Sequence, residues 1–109
     1  MPKHPLDVIG ENDRALLDEV NRARDLGLTS GALSAKEKLL IALALDAAHS
    51  SVSGVKSLAQ RAMQQGATRA EIMETLRVVN YICGAGPMYT AAAALQDLWP
   101  SAPRPDGGQ

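Results

Sequence analysis

The chain has 109 residues, enough for one domain, with 11 Lys and Arg against 12 Asp and Glu and a net charge of −1. That balance, with no basic stripe and no aromatics interleaved with Lys or Arg, excludes nucleic acid as a main partner, and no apolar run approaches the ~20 residues of a bilayer span. One cysteine excludes a Cys-x-x-Cys dithiol within the chain, and a Met1-Pro2-Lys3-His4-Pro5 start without an apolar signal core sets the expectation of a reducing cytoplasm.

Phe is absent, and there are one Trp and two Tyr, so the core must be built from Ala, Leu, Ile, Val and Met. A domain of this size buries roughly 65% of its unfolded surface. Alanine-rich helices approach closely but bury little area each, so association with further copies is expected to add the remainder.

Residues 1–11 contain Pro and lack helical periodicity, which reads as an extended arm with an apolar patch at Leu6, Val8 and Ile9. A first helix is expected over about 12–26, capped by Asn12 or Asp13, with Leu16, Leu17, Val20 and Ala23 as its stripe and Gly27 at its end. A second, over about 35–49, opens on the capping box Ser34-Ala35-Lys36-Glu37. Its run Leu39-Leu40-Ile41-Ala42-Leu43-Ala44-Leu45 is apolar on every face, which predicts burial all round. A third, over about 53–65, carries Val55, Leu58, Ala59, Ala62 and Met63 at helical spacing, and Gly66 caps it. A fourth opens on a second capping box, Thr68-Arg69-Ala70-Glu71, and turns Ile72, Met73, Leu76, Val79, Ile82 and Cys83 inward. Gly84-Ala85-Gly86-Pro87 breaks it. A fifth runs over about 88–99 to the stop at Pro100. Residues 100–109 read as a disordered tail. No strand pattern appears, so the fold expected for 12–99 is all-α.

The stretch Leu33-Ser34-Ala35-Lys36-Glu37-Lys38-Leu39-Leu40-Ile41-Ala42-Leu43-Ala44, followed after a gap by Gln64-Gln65-Gly66-Ala67-Thr68-Arg69-Ala70-Glu71-Ile72, resembles the carboxymuconolactone decarboxylase and alkylhydroperoxidase D-like superfamily over about residues 15–98. The resemblance implies a five- to six-helix bundle assembled as a homotrimer or homohexamer, with sites near subunit contacts. It also implies one of two activities: a thiol peroxidase using Glu, Cys-x-x-Cys and His, or a cofactor-free decarboxylase of a lactone acid. Carried across by counting back from Gly66, the peroxidase His falls on Leu58 and the two Cys on Ser51 and Gly54, and the Glu, counted within the Leu39-Leu40-Ile41 run, falls on Leu39. A dithiol enzyme needs one thiolate to attack and a second thiol to resolve, so this departure removes the peroxidase chemistry. Leu58 also removes the His expected of the decarboxylase branch.

Other polar residues remain. Asp46 and His49 lie three apart near the end of the second predicted helix. They read either as a general base oriented by a carboxylate or as charges complementing the helix terminus. Ser51, Ser53 and Gly54 form a polar turn whose free N–H groups, with Lys56, would hold a substrate carboxylate, or which simply caps the next helix. Tyr81 and Tyr89 flank the Gly84–Pro87 break and either line a pocket mouth or pack their rings in the core. Cys83 reads as a buried small hydrophobe or as a lone redox thiol working with an external one. No cluster has metal-ligand spacing. The expected function is a decarboxylase-like protein that binds or converts a small organic acid or lactone without a cofactor, in a pocket between the second, third and fourth predicted helices. The alternatives are a degenerate ligand-binding scaffold and, further off, antioxidant activity through Cys83.

Overall fold

The structure is a computed structural model and describes residues 4–100. Residues 1–3 of the expected arm, and all of the tail expected over 100–109 except Pro100, lie outside the described residues. Six helices follow in order: α1 (Asp7–Asn12), α2 (Arg14–Leu28), α3 (Ala35–Ala48), α4 (Val52–Gln64), α5 (Arg69–Cys83) and α6 (Gly86–Leu98). The described residues contain no strand.

Both capping boxes form as their sequences require. The Glu37 N–H donates to Ser34 Oγ over 3.1 Å and the Ser34 N–H donates to Glu37 Oε1 over 2.8 Å. At α5 the Glu71 N–H donates to Thr68 Oγ1 over 3.1 Å and the Thr68 N–H donates to Glu71 Oε1 over 2.9 Å. Each box satisfies donors that a helix start leaves unpaired and fixes where the helix begins.

The core lies between α3, α4, α5 and α6. Leu43, Ala47, Val55, Ala59, Ile72 and Leu76 meet Ala91 and Ala94 of α6. The buried positions repeat every three or four residues on each helix, as one face of a 3.6-residue period requires. Small alanines at Ala47, Ala59, Ala91 and Ala94 let the helix axes approach. A second cluster, Leu39, Ala62 and Ala67, takes Leu28 from the end of α2.

Four expectations change here. From residue 7 onward the expected arm is not extended, because Asp7–Asn12 form a helix, with Asn12 Nδ2 donating to Val8 O over 2.8 Å. The next helix runs through Gly27 to Leu28, where Leu28 gains contact with the body. α3 is not buried all round: Leu39, Leu43 and Ala47 are buried, but Ile41 and Leu45 are 48% and 55% exposed. Neighbouring helices cover only part of its circumference, and among the described residues no helix covers the rest. In α5 the buried line is Ile72, Leu76 and Val79. Met73 and Ile82 are exposed, since at about 100° per residue each is turned some 80–100° from that line.

The α1–α2 hairpin stands apart. Neither helix has a buried residue. Leu17, Asn21 and Leu28 are half-buried toward α1 and the body, whereas Leu16 and Val20 are exposed.

Candidate functional site

The corner between α3 and α4 carries most of the polar residues singled out above. α3 ends with the His49 N–H donating to Leu45 O over 3.0 Å. Ser50 then takes the left-handed conformation at φ 63°, which turns the chain into α4. The Ser51 N–H donates to Asp46 O over 2.9 Å, and Ser51 Oγ accepts from the Gly54 N–H over 3.2 Å. Ser51 is thus the N-cap of α4.

Asp46 does not turn to His49. Its carboxylate lies against Gly54, where a side-chain carbon would overlap Asp46 Oδ2 and fall 2.6 Å from Ser51 Oγ. Among the described residues no hydrogen bond joins Asp46 to His49, and the exposed His49 imidazole makes none. The negative carboxylate beside the first turn of α4 complements the positive end of that helix. Asp46 thus lies beside the turn expected to hold a substrate carboxylate, and the Gly54 N–H of that turn is already taken by Ser51 Oγ. Lys56 faces away, its Nζ lying 3.5 Å from Asp97 of α6. Ser53 is exposed.

The positions aligned with the peroxidase relay tell the same story at the other end of α4. Leu39 and Leu58 meet at the small cluster with Ala62 and Ala67. On the alignment that the resemblance implies, two hydrocarbon side chains stand where the Glu and the His would be, and neither holds or moves a proton.

A concave site forms elsewhere, along α3 and α5. Lys36 Nζ donates to Glu71 Oε2 over 2.9 Å, joining the first turns of the two helices. Further on, Leu40 lies with Thr75 and Val78, and Ala44 and Leu45 with Val78. The pairs advance in the same direction, so α3 and α5 run parallel. The groove between them opens into a cavity of about 770 Å³ at the Lys36 end, lined by Glu37, Glu71, Glu74 and Thr75 among others. It narrows to about 290 Å³ over Leu40, Ile41, Ala44, Leu45 and Val78. The wide end holds three carboxylates against one ammonium. The Glu71 carboxyl lies below its ordinary range because of the Lys36 hydrogen bond first and the Thr68 N–H second. Glu37 is lowered chiefly by the Ser34 N–H.

Neither Lys36 nor Glu71 was singled out in the sequence as part of a site, because the capping-box pattern accounted for Glu71 fully. The usable signal was the excess of apolar faces on the second predicted helix.

Tyr81 and Tyr89 project into solvent at 85% and 80% exposure, so neither packs its ring in the core. Cys83 is exposed and free rather than buried. It lies on the inner line of α5 but in the last turn, past the buried stretch that ends at Val79. Among the described residues no group of three or more His, Cys, Asp or Glu forms a metal site, and no helix is long and apolar enough to cross a membrane.

A family model described as the carboxymuconolactone decarboxylase family matches residues 15–97. No curated protein and no solved structure matches the chain.

Proposed function

The chain belongs to the carboxymuconolactone decarboxylase family, and on that premise we propose that it binds a small organic acid or lactone in the groove between α3 and α5, without the dithiol relay. The observation that carries this reading is the pairing of an apolar trough, Leu40, Ile41, Ala44, Leu45 and Val78, with a single hydrogen-bonding cation, Lys36, at its wide end. An apolar lining with a few placed polar groups is what small-molecule sites share. Glu37, Glu71 and Glu74 surround Lys36 and repel a polyanion. A neutral lactone or ester carbonyl, or a monoacid whose carboxylate stays in water, fits that field best. No cofactor is required for binding of this kind.

The test is a panel of lactones, keto acids and hydroperoxides, read by calorimetry and by turnover. Saturable binding of a lactone, lost in Leu40→Asp and Val78→Asp chains that remain helical, supports the reading. Efficient hydroperoxide reduction, or binding untouched by both substitutions, overturns it.

A second reading, acid–base conversion of the ligand by His49, is favoured by one observation: the imidazole is exposed and not engaged in any hydrogen bond among the described residues. It predicts that His49→Ala lowers turnover at least ~100-fold, the low end for a positioned acid–base group. Asp46→Ala should then matter little, since Asp46 faces Gly54. An unchanged rate in His49→Ala removes this second reading and leaves the binding reading in place.

A further inference from the structure

The α3–α5 groove uses only one flank of α5. At about 100° per residue, Met73, Arg77 and Asn80 fall within some 60° of arc, centred about 140° from the flank that carries Glu71, Glu74, Thr75 and Val78. These three residues, with the buried Leu76 and with Met88 of α6, line a second cavity of about 290 Å³. The two flanks differ in charge. The wide end of the groove holds three carboxylates against the Lys36 ammonium, whereas the second cavity is lined by one charged group, the Arg77 guanidinium. Among the described residues, the side chains of Arg77 and Asn80 make no hydrogen bond or ion pair.

We infer that this cavity is a second ligand site and that it takes a small monocarboxylic acid with an apolar body. Residues three apart on a helix are neighbours, so Arg77 and Asn80 reach one planar group together. A guanidinium donates two parallel N–H bonds to a carboxylate, and the Asn80 amide brings two further donors. Met73, Leu76 and Met88 receive the rest of the molecule. Leu76 is 4% exposed and belongs to the core, so the floor is fixed. The two unbranched thioether chains at its sides adapt to the shape laid on them. The first turn of α6, which supplies Met88, has no side-chain cap, and the positive end of that helix adds to the field of Arg77.

The lining also selects among anions. Inorganic phosphate would satisfy Arg77 but leave the three apolar side chains without a partner. A dicarboxylate finds no second cation in the cavity. A neutral chain of the same length fills the apolar part and leaves the guanidinium unpaired. The site does not rest on the reading proposed for the α3–α5 groove, since the two share no lining residue.

Titration of the full chain with hexanoate, followed by NMR of the methionine methyl groups, tests the inference. Met73 and Met88 line this cavity and Met63 does not, and no methionine lines the α3–α5 groove. The expected result is saturable shifts at Met73 and Met88 with a Kd of about 1 mM and an unmoved signal at Met63. Hexanol and inorganic phosphate should each bind at least ~10-fold more weakly than hexanoate. Arg77→Gln should weaken hexanoate by at least ~10-fold. Arg77→Lys, which keeps the charge but loses the fork, should recover only part of that loss. Arg77 is exposed, and circular dichroism checks that its variants stay helical. The comparison of hexanoate with hexanol needs no substitution. No saturable shift at Met73 and Met88 by ~20 mM hexanoate, hexanol or phosphate binding as tightly as hexanoate, or an Arg77→Gln chain that binds like the parent overturns the inference. Loss of lactone binding in the groove, with these shifts intact, would count against the groove reading alone.

Discussion

Lys36 and Glu71 tie the starts of two parallel helices together across 2.9 Å. Glu71 works twice, closing the Thr68 capping box through Oε1 and accepting from Lys36 through Oε2. The α3–α5 groove begins at this link, so its width at that end depends on it.

The link makes stability depend on acid. Lys36, then the Thr68 N–H, hold Glu71 below its ordinary value of 4.5, and the Ser34 N–H does the same for Glu37. A carboxyl lowered in the folded state binds its proton more readily when unfolded. Its contribution is therefore complete above the ordinary value and is lost as pH falls below it. Thermal melts should show Tm level near neutrality and falling below about pH 4.5. In Glu71→Gln, which keeps the capping geometry but not the charge, that fall should be shallower. Parallel curves for the two chains would remove Glu71 as a source of the acid sensitivity.

The two caps should contribute separately. Ser34→Ala and Thr68→Ala each leave orphan N–H groups at a helix start, at a cost of about 1 kcal/mol. Denaturant titration measures this as a lower midpoint at constant slope. A loss under about 0.3 kcal/mol in both would mean that water replaces the hydroxyls without penalty.

Asp46 and Gly54 are complementary in shape. An alanine at 54 overlaps Asp46 Oδ2 and crowds Ser51 Oγ, while gaining up to about 1 kcal/mol of helix propensity. Removing the carboxylate relieves part of the crowding. Gly54→Ala should therefore be less favourable in the parent than in an Asp46→Ala chain, by at least ~0.5 kcal/mol in a double-mutant cycle. Additive effects would show that the carboxylate moves aside freely. The same crowding predicts that Ser51→Cys with Gly54→Cys does not restore dithiol chemistry while Asp46 stays.

Cys83 is exposed at the end of α5. A thiol reagent should label the native chain within about tenfold of the rate for the unfolded chain, as access and not burial sets the rate. Labelling only in denaturant would place the thiol under cover.

Much of the fold was legible in the residues. Ser34 with Glu37 and Thr68 with Glu71 marked two helix starts, because a capping box involves only neighbours in the chain. The 3.6-residue stripes in α4 and α5 named Val55, Ala59, Ala62, Ile72, Leu76 and Val79 of the core, and the motif order pointed to the family. The site was less legible. Asp46 and His49 share a helix end, but which way the carboxylate turns depends on Gly54, across a reversal of the chain.

The order of helices, their caps and their apolar faces follow from interactions within a few residues, so the linear chain was enough to establish them. The pairing of Lys36 with Glu71, the seating of Asp46 against Gly54 and the opening of a groove above Leu40 and Val78 were settled in space. Each depends on which helices become neighbours, and side-chain direction, charge partners and leftover apolar surface take their values only once that packing exists.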